Sequence, residues 1–163
     1  LLSWSQTDND LVAETITEIT GVKASPERVV RLQSTIKSRQ YFRNNQLVRQ
    51  DILEETTKVT SGDNPPQIKV LSPKTVKVGE KFNFDVIVTQ PLNDDLLLGT
   101  AIEEPISRQL YLEPSTLELE RLSAGGIYKI ITAPLSPDKR WISAVIVGGE
   151  GITLITQRVI VEQ

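Results

Sequence analysis

Two groups of side chains in this sequence have types and spacing that could support chemistry. The first is acidic: Asp94 and Asp95 follow Asn93, and Glu103-Glu104 comes next along the chain. Carboxylate and amide oxygens are calcium ligands, and a pair of carboxylates is what a glycosidase uses. Turns also favour Asn and Asp, because these residues tolerate turn geometry, and we expect that role here.

The second group is basic and lies between Lys23 and Arg49, where Glu27 is the one opposing acid. Basic side chains interleaved with aromatic rings suit a phosphate backbone and its stacked bases. We predict a partner-binding surface made of six such residues: Arg28, Arg31, Arg39, Tyr41, Phe42 and Arg43. The alternative is that these charges simply solvate the outer face of a small helical bundle.

The sequence contains no histidine and no cysteine. Histidine-dependent nucleophilic catalysis is therefore impossible, as are histidine-ligated and thiolate-ligated metal sites and disulfides. Carboxylate pairs, Ser-Lys nucleophiles and oxygen-only metal sites remain possible, but no constellation of such groups is visible. We predict a protein that is not an enzyme and has no cofactor.

The composition is that of an ordinary globular protein, with 39% hydrophobic and 24% charged residues in a chain of 163. The net charge of −3 is too small to indicate a partner by itself. No apolar run approaches the roughly 20 residues that a membrane-spanning helix needs. We predict no membrane-spanning segment.

The sequence changes character at residues 62–66, Gly-Asp-Asn-Pro-Pro. Residues 1–62 hold one proline, Pro26, and the remainder holds the other eight. Two adjacent prolines cannot continue a helix and favour an extended chain. We predict an α+β protein with a helical region at 1–62, a linker at 63–66 and a β domain at 67–163.

Two or three helices are predicted in the first region. Thr7 and Asp10 have the spacing of a capping box, and Val12, Ile16 and Ile19 follow at helical spacing. Further helix starts are predicted at Ser25-Pro26-Glu27 and near Asn44 or Asn45. Residues 13–23 also resemble a helix-turn-helix module, with the basic second helix following the turn.

The second region has strand signals every eight to twelve residues, separated by Pro, Gly and Asn-Asp turns. The clearest strand is 81–89, where alternate residues are apolar and face inward: Phe82, Phe84, Val86 and Val88. Further strands are predicted at 108–113 and 116–122. The final two strands of the chain, predicted at 141–147 and 152–161, form a hairpin over 148–151. Trp141 opens the first of them, which is predicted to be a core strand. This predicts seven to nine strands in a β-sandwich.

Residues 76–86 and 126–134 resemble, respectively, the second strand and a later tyrosine-bearing strand of bacterial immunoglobulin-like and fibronectin-III-like domains. The resemblance covers 66–163 and implies an immunoglobulin-like sandwich without the paired cysteines of antibody domains. It further implies a spacer, an adhesion module or a docking surface.

The favoured function is a non-catalytic interaction or scaffold protein, in which the sandwich docks on a protein partner and the helices form a stalk or second surface. The alternative is a nucleic-acid-binding protein that uses the basic second helix, with the sandwich regulating or oligomerising it. The chain begins Leu1-Leu2-Ser3 and contains no methionine. We therefore expect export to the periplasm or cell surface after signal removal, with a trimmed cytoplasmic protein as the alternative.

Overall fold

The structure, a computed structural model, describes residues 1–7, 9–91, 96–113, 115–123 and 125–163. The predicted turn at Asn93-Asp94-Asp95, with its candidate calcium ligands, lies outside these residues. The regular secondary structure of the described chain is almost all β-strand, and the one helix found in it is the short α1, Arg108–Leu112. None of its helical segments is long and apolar enough to cross a membrane.

Residues 1–62 form strands, so the predicted α+β fold with two or three N-terminal helices is wrong. Val12, Ile16 and Ile19 have helical spacing, but the chain around them is rich in Thr, Val and Ile. These residues are branched at Cβ and favour strands. The strands are β1 Ser3–Gln6, β2 Leu11–Ala24, β3 Val29–Arg43 and β4 Gln46–Gly62.

Each predicted helix start is a hairpin turn. The amide of Thr7 donates to the carbonyl of Asp10 at 2.9 Å, and the Asp10 amide donates back to Thr7 Oγ1 at 3.1 Å. Residues 25–28 repeat this arrangement between β2 and β3. Between β3 and β4, Asn44 and Asn45 both have positive φ, as a type I′ hairpin turn requires.

The rest of the chain adds eight described strands to the fold. They are β5 Ile68–Leu71, β6 Thr75–Lys77, β7 Lys81–Val88, β8 Leu98–Pro105, β9 Glu120–Arg121, β10 Gly126–Thr132, β11 Asp138–Gly148 and β12 Gly151–Glu162. The large sheet has the order β1-β2-β3-β4-β12-β11-β8-β9, and the small sheet has the order β10-β7-β5. Strand β6 pairs in parallel with the end of β12, and the other described pairings are antiparallel.

The core lies between the small sheet and the inner face of the large sheet. Phe84 and Val86 of β7 are completely buried, as are Ile142, Ile146 and Val159 of β11 and β12. The predicted alternation along 81–88 is therefore confirmed. The protein is all-β, with two packed sheets compatible with a β-sandwich.

Three local predictions in this region have different outcomes. The closing hairpin over 148–151 is confirmed, since Gly148 pairs with Gly151. The strand predicted at 108–113 is wrong, because this segment forms α1. Of 116–122, only Glu120–Arg121 is a strand.

The proline-rich junction carries the chain from the large sheet to the small one. Gly62, at φ +100°, pairs with Gly151, and the amide of Asp63 donates to the carbonyl of Glu150 at 3.0 Å. Pro66 is buried, and its carbonyl accepts a hydrogen bond from Thr153 Oγ1 at 2.7 Å. The prolines thus mark a crossing between sheets, and the predicted domain division at 63–66 stays a prediction.

The arm is defined as residues 1–62. Its strand β4 pairs with β12 between residues 56 and 62. At about 3.3 Å per residue, the remainder of β4, 46–55, continues roughly 30 Å beyond the last of these pairs. The arm therefore extends beyond the part of β12 with which it pairs.

Candidate partner-binding pocket

A row of hydroxyl groups crosses the outer face of the large sheet, opposite the core. The register places Ser34, Thr57, Thr156 and Ser143 side by side on β3, β4, β12 and β11. Ser34 and Thr57 share a hydrogen bond of 2.7 Å, and Ser143 and Thr156 share one of 2.8 Å. The four hydroxyls are thus bonded to one another in two pairs, and together they form a polar stripe on this face.

Beside this row, Glu55 of β4 joins two other strands. Its Oε2 accepts hydrogen bonds from Trp141 Nε1 at 3.2 Å and from Arg158 Nε and Nη2 at 3.0 and 2.8 Å. Arg158 is only 8% exposed, so the pair is largely shielded from water. Buried charges of this kind need their partners, and the contact therefore fixes the Trp141 ring on the outer face.

A wall rises over this part of the sheet from α1 and the segment after it. Ser115 Oγ donates a hydrogen bond to Glu104 Oε1 of β8. Together they enclose an open pocket of about 330 Å³. Its described lining residues are Glu55, Thr57, Ile102, Glu104, Leu110, Ser115, Leu117, Trp141, Ser143, Leu154 and Thr156.

The pocket is acidic. Its described lining includes the carboxylates of Glu55 and Glu104 and no basic side chain. Arg158 neutralises Glu55, whereas the described hydrogen bond to Glu104 comes from a neutral hydroxyl. A negative charge therefore remains beside an aromatic ring and aliphatic walls. This arrangement suits a positively charged group carried on an apolar stem.

The six predicted partner-binding residues do not form one surface. Arg28 lies in the 25–28 turn, and the other five lie on β3. On one face of β3, Arg39 pairs with Glu14 at 3.3 Å and Arg43 with Asp10 at 2.8 Å. Of the other three on β3, Arg31 and Tyr41 share that face by register, and Phe42 points to the opposite face, against Trp4.

This distribution removes the basis of the helix-turn-helix interpretation. Residues 13–23 belong to β2, which pairs with β3 in a hairpin, so the interpretation is wrong. A role for the six side chains in binding a partner stays a prediction.

The charges on the core-facing side of the arm are arranged in ion pairs, both between strands and along one strand. Lys37 Nζ lies 2.9 Å from Glu14 Oε1, and Arg39 contacts the other oxygen of the same carboxylate. The hydrogen bonds from Lys37 and Arg39 hold the pKa of Glu14 below its usual value. Arg49 pairs with Asp51 and lies 5.0 Å from the centre of the Tyr41 ring. These basic residues are engaged within the sheet.

Sequence reasoning identified part of the pocket for other reasons. Glu104 was a candidate calcium ligand, and Trp141 was expected to open a core strand. Its strand β11 does contribute to the core, but the Trp141 side chain itself lies on the outer face, half-buried. Glu55 and Arg158 were missed because their side chains are 103 positions apart and no local motif connects them.

Comparison with known proteins gives a family match in the second region of the chain. No curated protein and no solved structure matches this sequence. A family described as "Domain of unknown function (DUF8623)" matches residues 63–162, which is more than half of the chain. The match begins one residue after β4 ends at Gly62. The chain belongs to the DUF8623 family.

Proposed function

We propose that this protein is a non-catalytic protein-binding module that holds a basic side chain of its partner in the Trp141 pocket. The observation that carries the proposal is the charge of the pocket: the carboxylate of Glu104 lies beside an indole ring without a basic partner in the described lining, whereas the charge of Glu55 is balanced by Arg158. A lysine or arginine side chain would place its stem against Ile102, Leu110 and Leu117. Its cationic head would lie at Glu104, near the Trp141 ring.

The connections of the strands support the immunoglobulin-like part of the proposal. The order β5-β7-β10 corresponds to strands A, B and E of an immunoglobulin-like sandwich, and β12-β11-β8 corresponds to G, F and C. In this comparison the pocket lies on the outer face of the G-F-C sheet. Domains of this kind usually serve as spacers, adhesion modules or docking surfaces.

The bonding state of the polar groups supports binding over catalysis. Glu55 already accepts three hydrogen bonds, and Ser143 is bonded to Thr156. Glu104 is bonded to the hydroxyl of Ser115, but among the described lining residues no lysine and no second uncompensated carboxylate accompanies this pair to complete a catalytic set. The polar groups here are arranged to complement a cation by charge and hydrogen bonding.

The test uses two probes, N-acetyl-lysine methylamide and N-acetyl-glutamate methylamide, and records the Trp141 indole signal by NMR. The lysine probe should shift this signal with millimolar affinity, as expected of so small a ligand, whereas the glutamate probe should not. Glu104→Gln should abolish the shift. Glu120→Gln removes an exposed carboxylate from the neighbouring β9 and should leave the shift unchanged.

Equal shifts from both probes, or full lysine binding by Glu104→Gln, would contradict the proposal. Substitution of Glu104 should not unfold the protein, because its described hydrogen bond is to an exposed serine. Denaturation of both variants checks this point.

A further inference from the structure

The outward edge of β2 is open along most of its length. Strand β1 pairs with β2 only between Leu11 and Glu14, and in the part of the chain that the structure describes no other strand pairs with this edge. Three aliphatic side chains are exposed along it: Ile16 at 44%, Ile19 at 43% and Val22 at 70%. A long exposed edge that carries aliphatic side chains is a template for pairing with another strand.

Main-chain hydrogen bonds show which residues of β2 have their polar groups facing outward. The carbonyls of Asp10 and Glu14 accept from Thr7 and Leu2, on the β1 side. The amide of Ser25 instead donates to the carbonyl of Arg28, on the β3 side. Because this direction alternates along an antiparallel strand, the even-numbered residues of β2 direct their N–H and C=O groups outward.

We propose that a second copy of this chain covers this edge, β2 pairing antiparallel with β2 of the partner about a twofold axis at Ile19. In this register Ile16 lies opposite the partner's Val22, and Glu18 opposite the partner's Thr20. These are even-numbered residues, so both pairs are hydrogen-bonded. On the other face Ile19 lies opposite the partner's Ile19. The proposal is independent of the pocket.

Neighbouring registers are less complementary. A twofold axis perpendicular to the sheet keeps each side chain on its own face, so the register can change only in steps of two residues. An axis at Glu18 would place two identical carboxylates opposite each other, which is destabilising. An axis at Thr20 would pair Glu18 with the partner's Val22 and Ile19 with the partner's Gly21. The Ile19 axis alone pairs all three exposed aliphatic residues with one another.

The absence of native cysteine makes disulfide trapping a direct test. Opposing residues of a non-hydrogen-bonded antiparallel pair have Cα atoms about 4.5 Å apart, within the range of a disulfide. Ile19→Cys should form a covalent dimer on mild oxidation. Val22→Cys is the matched control: its side chain is more exposed, but its copies would lie roughly 20 Å apart at ~3.3 Å per residue.

Two further variants test the dimer in solution without cysteine. The wild type should sediment at twice 18.2 kDa at high concentration and dissociate on dilution. Ile19→Lys would place two lysine side chains opposite each other at the twofold axis. Because like charges repel, this variant should stay monomeric. Thr20→Pro removes an outward N–H without removing a bond to β3, and it should also stay monomeric with its unfolding transition retained.

A selective Ile19→Cys crosslink together with loss of the dimer in both variants supports the proposal. Equal crosslinking of Val22→Cys, or a wild type that is monomeric at every concentration, overturns it. A dimer that persists in Ile19→Lys overturns it as well.

Discussion

The sandwich and the arm are both made of strands, but they are stabilised differently. Residues 63–163 enclose a core between two sheets, whereas the arm adds strands to one sheet only. The core cluster of the described residues has no member from the arm. The arm contributes only Val12 and Ala13 to the described buried apolar residues.

The two regions draw their stability from different sources. The sandwich depends on apolar burial between sheets, the dominant favourable contribution to folding. The arm depends on main-chain hydrogen bonds, cross-strand ion pairs such as Glu14 with Lys37, and its attachment to β12. Such contributions are individually small, so the arm should open before the sandwich does.

The largest expected effect comes from the sandwich core. Phe84→Ala should reduce the free energy of unfolding by about 3–5 kcal/mol, because it deletes a completely buried ring. Urea denaturation measures this loss. Ile130→Ala on the adjacent β10 is the control: its side chain is 73% exposed, and the change should stay within about 0.5 kcal/mol. Similar values for the two variants would show that the core is not where the structure places it.

An intermediate effect is expected where the two regions join. A Cβ at Gly62 would collide with the backbone of Glu150 and Gly151, and the φ of +100° is unfavourable for any other residue. Gly62→Ala should therefore cost about 1–3 kcal/mol of unfolding free energy. The control is Gly149→Ala, for which no atom lies within 4 Å of the added carbon. If both variants are equally stable, the close approach of β4 to β12 is wrong.

The smallest effect concerns the ion pairs of the arm. Because Lys37 and Arg39 lower the pKa of Glu14, its carboxylate stabilises the folded arm above the ordinary carboxyl pKa. This contribution is lost as the pH falls through the lowered folded-state pKa. Glu14→Gln should weaken the acid dependence of the denaturation midpoint. Glu18→Gln, on the same strand but with no ion pair in the described part of the chain, should leave the dependence unchanged.

The sandwich was predictable because its pattern allows one interpretation. In 81–88, buried Phe82, Phe84 and Val86 alternate with residues of smaller or polar character, and this period of two has no helical counterpart. The helix α1 was not predictable in the same way. Arg108–Leu112 is too short to show a period.

The arm was misjudged because its turn signals have two meanings. A Thr or Ser followed three residues later by a polar residue can cap a helix or close a turn, through the same side-chain-to-amide hydrogen bond. Thr7 with Asp10 and Ser25 with Arg28 form that bond in hairpins. The pocket depends on Glu55, Trp141 and Arg158, which are brought together only by the order of β4, β12 and β11. No local sequence pattern predicts that strand order.

The most direct test of the central claim, that the arm is a single layer of strands attached to β12, is residue-resolved hydrogen exchange. It is best measured on Ile19→Lys, so that the edge of β2 stays open. Amides of β7, β11 and β12 should exchange most slowly. Within 15–23, odd-numbered amides should be protected by β3, and even-numbered amides should exchange fast. Continuous protection through 11–20 would indicate a helix there and contradict the account.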